Sequence, residues 1–168
     1  MKPSTKIHII LFSCLAILMA ACVKEVQYPV EPEIKFGDFG TYRDFNGKDS
    51  LGVLSISYTD GDGDIGLYDS DTAEPYKYNY FLKFQQFHNG QLTEVKPADT
   101  ASTNNYRIPI LTPNGRNKNI RGIIKMTLEL YYVRAVLLSD TIAFQVYIKD
   151  RALHTSNIVQ TPMFIIHK

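Results

Sequence analysis

From Ile34 onward, apolar and polar positions alternate with the period of a β-strand, and no segment carries the spacing of a good amphipathic helix. Leu54, Ile56 and Tyr58 alternate with Ser55 and Ser57. Tyr78, Tyr80, Leu82 and Phe84 share one face of the next run. Asn89-Gly90 follows as a two-residue hairpin signal, because both residue types tolerate positive φ, and Leu92 to Val95 can return as the partner strand. Tyr106, Ile108 and Ile110 form a weaker run that Pro109 confines to a sheet edge. Ile124, Met126, Leu128, Leu130 and Tyr132 make one long stripe, and Ile142, Phe144, Val146 and Ile148 make another. Ile158 to Ile166 reads as a closing strand broken at Pro162.

Seven or eight short strands at regular spacing predict an all-β fold, an antiparallel β-sandwich over residues 34–168. A closed barrel is the competing all-β solution. One-sided alternation fits two sheets facing a shared core, which makes the Tyr and Phe stripes core rather than ligand platform.

The N-terminus breaks this pattern. Met1 to Lys6 is short and basic, Ile7 to Ala21 is almost wholly apolar, and the chain turns polar after Cys22 at Lys24, Glu25 and Gln27. This is the layout of a secretory signal. The apolar run of about 15 residues is short of the roughly 20 that span a bilayer, which argues against a retained anchor. Leu18, Met19, Ala20, Ala21 and Cys22 resemble a lipobox, the recognition site of the lipoprotein signal peptidase, with Met19 in place of the usual branched residue. The resemblance implies diacylglycerol on the Cys22 thiol and cleavage after Ala21, with two or three acyl chains in the mature protein. Two or more chains anchor stably where one does not. Residues 1–21 are thus expected to be a signal peptide and 22–33, with Pro29 and Pro32, a lipidated tether. The expected place is the cell envelope, on the outer membrane, with the leaflet open.

Composition sharpens this only a little. Removing Lys2 and Lys6 from the 18 basic residues leaves 16 against 17 acidic, a charge of −1. That is not the balance of a nucleic-acid binder. Eleven Tyr and nine Phe favour strands. The two cysteines, Cys14 and Cys22, both lie in the N-terminal segment, so the expected domain has no disulfide, no thiol nucleophile and no thiolate metal site.

One segment carries candidate chemistry: Tyr58-Thr59-Asp60-Gly61-Asp62-Gly63-Asp64-Ile65-Gly66-Leu67, followed by Asp69 and Asp71. Alternating carboxylates suit calcium, which takes six to eight oxygens in flexible geometry. The glycines let the backbone curl so that the carboxylates converge. Asp60, Asp62, Asp64 and Asp71 match positions 1, 3, 5 and 12 of an EF-hand loop. Ile65 stands where that loop needs Gly, Asp71 replaces the bidentate Glu, and no flanking helices are visible. The reading is a calcium-type loop between strands, and its plain alternative is a solvated acidic turn.

The same phrase, Tyr-Thr-Asp-Gly-Asp-Gly-Asp-Ile-Gly-Leu, resembles a recurrent motif of small uncharacterised lipoproteins from Gram-negative bacteria. Their C-terminal part often has a strand ending in Asp-Arg-Ala and then Ser-Asn, here Asp150-Arg151-Ala152 and Ser156-Asn157. The usual Gly-Asn turn after that Ala is Leu153-His154 in this chain. The resemblance covers most of the chain and implies an immunoglobulin-like or fibronectin-III-like sandwich. It implies no activity. By analogy with such sandwiches, Asp150 is expected to approach the acidic loop as a further ligand.

No catalytic constellation is visible. His88, His154 and His167 have no metal-ligand spacing and read as surface residues. There is no Gly-x-Ser-x-Gly, no phosphate-cradling loop and no His-Glu-x-x-His. Arg116, Lys118, Arg121 and Lys125 form a modest basic patch that reads as a solvated loop. The leading expectation is a non-enzymatic, calcium-stabilised module on a lipid tether that binds a protein or glycan. The alternatives are an envelope hydrolase using metal at Asp60, Asp62 or Asp64, and a pure scaffold.

Overall fold

The structure is a computed structural model, which describes residues 26–96, 104–111 and 119–168. The signal segment, Cys22, Arg116 and Lys118 lie outside the described residues.

Among the described residues, nine strands run β1 (Glu33–Arg43), β2 (Asp49–Asp60), β3 (Tyr80–His88), β4 (Gln91–Glu94), β5 (Asn105–Tyr106), β6 (Ile120–Glu129), β7 (Thr141–Ile148), β8 (Val159–Gln160) and β9 (Phe164–Ile165). A short helix, α1 (Leu130–Arg134), joins β6 to the segment before β7. The first sheet has the order β1-β2-β6. The second has the order β4-β3-β7-β8, with β5 on β3 and β9 on β7. All strand pairs are antiparallel. This is an all-β sandwich of two antiparallel sheets.

The alternating stripes form the core. Ile34, Leu54, Ile56, Ile124 and Leu128 from the first sheet face Tyr80, Leu82, Phe84, Phe144 and Val146 from the second. The Phe39 ring crosses the gap to Phe144 at 5.0 Å and to Phe164 at 4.8 Å, and Phe84 meets Phe144 edge-on at 5.0 Å. Offset and edge-on pairs of this kind contribute about 0.5–1.5 kcal/mol each beyond area burial.

The Asn89-Gly90 hairpin forms as its dipeptide predicts, with φ of 51° and 82° joining β3 to β4. Four elements depart from the sequence reading. β1 goes unseen there because a register shift between Phe36 and Asp38 breaks its alternation, so that Phe36 and Phe39, not Phe36 and Asp38, pack on the core. The stripe through Leu130 and Tyr132 is not all strand: β2 pairs with β6 only as far as Leu51–Glu129, and the chain then closes its own hydrogen bonds in α1 while burying Leu130. The closing strand is two short pieces, β8 and β9, on either side of Pro162. The run Tyr106, Ile108, Ile110 is strand only at Asn105–Tyr106, and Pro109 makes an isolated bridge to Leu67.

The acidic loop follows β2 at one end of the sandwich. The β1–β2 hairpin and α1 lie at the other end, because β2 runs the full length between them.

Candidate metal centre

Asp60 is the last residue of β2, and Asp62 and Asp64 follow it in the loop. One carboxylate oxygen from each of the three lies within 4.8 Å of the others. The backbone makes this convergence. Gly63 sits at φ 67° and Gly66 at φ 110°, conformations that glycine adopts freely. The Gly61 N–H donates to Pro29 O at 2.7 Å, and a Cβ at Gly61 would run into the Tyr28 and Pro29 carbonyls. A Cβ at Gly66 would collide in the same way with Pro109. Leu67 N–H donates to Ile108 O at 2.9 Å. The loop is therefore wedged between the segment before β1 and the one after β5.

The third wall is the turn after β7. Asp64 Oδ2 accepts from Ala152 N–H at 3.1 Å, and Asp64 O accepts from Arg151 N–H at 3.4 Å. Arg151 Nη1 donates to Gly66 O at 2.9 Å, and its guanidinium lies 5.2 Å from the centre of the Tyr68 ring. The two motifs noted apart in the sequence, the acidic phrase and Asp150-Arg151-Ala152, thus meet in one structure.

The electrostatics are unbalanced. Asp60 is 0 % exposed. Its Oδ2 accepts from the N–H groups of Asp64 and Ile65, at 3.0 and 3.3 Å. The Oδ1 atoms of Asp60, Asp62 and Asp64 are all buried, and no N–H or O–H donor serves them. Burial, then the Asp62 carboxyl at hydrogen-bonding distance and its charge, push the Asp60 carboxyl up to about 7. Burial, then the charges of Asp150 and Asp62, push Asp64 up as well. Three carboxylates so placed either share protons or hold a cation. Oxygen-only donors at flexible geometry suit a hard cation such as calcium.

Scans against protein families, curated proteins and solved structures find no match to this chain. The site has to be read from its own geometry.

Asp69 and Asp71 do not join the cluster. Asp69 is exposed, and Asp71 Oδ2 accepts from Tyr68 N–H at 2.9 Å, closing a local turn. Arg107 pins that same turn through the carbonyls of Asp71 and Tyr68, at 2.5 and 2.8 Å. Position 12 of the EF-hand match is thus a turn residue, because the chain after Gly66 runs along Pro109 instead of circling back. Asp150 does approach the loop, close enough for its charge to act on Asp64. Both its oxygens are engaged by His154: Oδ1 by the backbone N–H at 2.8 Å and Oδ2 by ring Nδ1 at 2.9 Å. That hydrogen bond and the Asp150 charge hold the His154 imidazole above its ordinary value, with Glu31 and Asp62 adding to the effect. His154, read from sequence as a surface residue, is therefore tied through Asp150 to the edge of the site, while Arg151 is the basic side chain whose charge acts on Asp64. The spacing of four between Asp150 and His154 is the signal that was available.

A groove of about 420 Å³ lies on the outer face of the first sheet, lined by Tyr28, Glu33, Lys35, Ser57, Arg121 and Ile123. None of the three clustered carboxylates lines it, and its walls mix charged side chains with Tyr28, Tyr58 and Ile123.

Proposed function

We propose that the chain is an exported lipoprotein, anchored through lipid on Cys22, whose domain is a calcium-stabilised, non-enzymatic module of the cell envelope. The observation that carries the metal reading is the trio of buried Oδ1 atoms with no donor beside a fully buried Asp60. An unpartnered buried carboxylate oxygen costs several kcal/mol, and a divalent ion offsets that cost for three at once. The cation would also tie three segments together: the β2 end, the stretch at Tyr28–Pro29 and the turn at Arg151–Ala152. That favours a structural role over a catalytic one, since a catalytic metal keeps a position open to water or substrate, whereas these oxygens are closed off. The anchoring reading rests on the lipobox and the apolar segment before it. A protein or glycan ligand would find the groove on the first sheet accessible.

Thermal unfolding of residues 23–168 in millimolar calcium and in EDTA tests the metal reading. Binding only to the folded state at a hundred times the dissociation constant stabilises by about 2.7 kcal/mol. Equal unfolding temperatures would reduce the loop to an acidic turn. The intact mass of the processed full-length protein, beside that of Cys22→Ala, tests the lipid: wild type carries the acyl mass and the variant does not.

A further inference from the structure

We infer that the acidic-loop end of the sandwich is its membrane-facing end, with a lipid surface as the partner of that face. The inference rests on the proposed lipid at Cys22 and adds to it an orientation and a contact surface.

The chain does not hang free before β1. Val26 O accepts from the Asn119 side-chain amide, Tyr28 N–H donates to Asn119 Oδ1 at 2.9 Å, and Pro29 O accepts from Gly61 N–H at 2.7 Å. The segment read from sequence as a tether to residue 33 is therefore docked on the domain from Val26. Four peptide links separate Val26 from Cys22, a reach of at most about 14 Å at 3.6 Å per residue. The 12 residues of β2 extend about 40 Å. A leash this short keeps the loop end within about 14 Å of the headgroups, and a domain standing on that end carries the opposite hairpin about 40 Å away.

The surface at that end fits the assignment. Val26, Val30, Tyr68, Leu153 and Ile158 are exposed there. Leu153 belongs to the turn that closes on the acidic loop, Tyr68 stacks under Arg151, and Ile158 follows Asn157, whose amide pairs with both backbone groups of Ile34 at the start of β1. A tyrosine and scattered aliphatic side chains beside Lys149 and Arg151 are suited to a headgroup layer, where amphipathic groups settle. The other end also exposes apolar groups, with Phe45 at 97 %, but no leash holds that end near the membrane.

The test uses the full-length, lipidated protein. Cys14 and Cys22 are its only cysteines, so the processed and acylated chain offers one thiol for each one introduced. A fluorophore is attached to Ser70→Cys, in the exposed loop end, or to Asn46→Cys, in the β1–β2 hairpin. The protein is placed in phosphatidylethanolamine–phosphatidylglycerol vesicles carrying a headgroup nitroxide. The expected result is strong quenching at Ser70→Cys and none above the lipid-free baseline at Asn46→Cys. A Gly-Ser insert of about twelve residues between Glu25 and Val26, a flexible coil, is expected to abolish the difference. Equal quenching at both positions without the insert, in protein whose mass carries the lipid, overturns the orientation and leaves the anchoring intact. Protein without the lipid mass overturns both.

Discussion

The two ends of the sandwich each bury an aspartate on β2, and they treat it in opposite ways. Asp49, at the first residue, is 1 % exposed and fully served. Its Oδ1 accepts from Thr41 Oγ1 at 2.9 Å with Arg43 Nε at 3.5 Å, and its Oδ2 accepts from His167 N–H at 2.8 Å with the His167 ring at 3.3 Å. Burial pushes its carboxyl up, but the hydrogen bonds from His167 and Thr41 outweigh it and hold the group below its ordinary value. Asp60, at the last residue, is buried as deeply, yet its second oxygen faces other carboxylates and its affinity for a proton rises to about 7. Burial alone therefore says little about a carboxylate. What surrounds the second oxygen decides whether the group finishes a structure or awaits a cation.

The largest way to break this comparison is to supply the cation. At a thousandfold excess over the dissociation constant, calcium is expected to stabilise the domain by about 4 kcal/mol relative to EDTA, seen as a rise in melting temperature of many degrees. Asp62→Asn is expected to remove most of that rise.

Asp49→Ala comes next. It leaves Thr41 and the His167 N–H without their acceptor and should cost about 2–3 kcal/mol in denaturant unfolding. The loss should be the same in calcium and in EDTA. A calcium-dependent loss would mean that the two ends are energetically coupled and that the contrast drawn between them is wrong.

The pH profile separates the ends without mutation. A carboxyl raised in the folded state binds its proton more tightly there than in the unfolded chain, so Asp60 costs stability as pH climbs from about 4 to 7. His154, also raised, contributes stability at low pH that is lost as pH rises through its folded value. Asp49 acts in the opposite sense, with its contribution lost only as pH falls below the ordinary carboxylate range. In EDTA the melting temperature should therefore decline from pH 5 to pH 8, and saturating calcium should flatten the decline. Asp60→Asn, measured in EDTA, should flatten it too while abolishing the calcium response.

The smallest expected effect is at Leu153, which holds φ 68° in the turn against the loop. Left-handed backbone costs a residue with a Cβ about 1–2 kcal/mol. Leu153→Gly should raise stability by up to about 1 kcal/mol once the greater freedom of glycine in the unfolded chain is counted, and chemical denaturation will show it.

Much of the fold was legible because strand alternation and hairpin chemistry are local. Leu54 to Tyr58, Tyr80 to Phe84 and Ile142 to Ile148 point alternately to one face whatever they meet there, and Asn89-Gly90 turns for reasons contained in two residues. Asp60, Asp62 and Asp64 were legible as a candidate site for the same reason: glycine between carboxylates curls a loop locally. Tertiary structure decided the rest. The bulge in β1 moves Phe39 into the core only because the second sheet offers Phe144 and Phe164 to meet it. Leu130 turns helical where the β2–β6 pairing stops at Leu51–Glu129, and the turn buries its side chain. Asp71 leaves the cluster because Arg107 and Tyr68 claim its turn, and Asp150 arrives at the cluster already engaged by His154. Spacing along the chain determined which carboxylates could converge. Which ones do so, and which are left without a donor, depends on segments brought together from Tyr28 to Ala152, and no local pattern encodes that meeting.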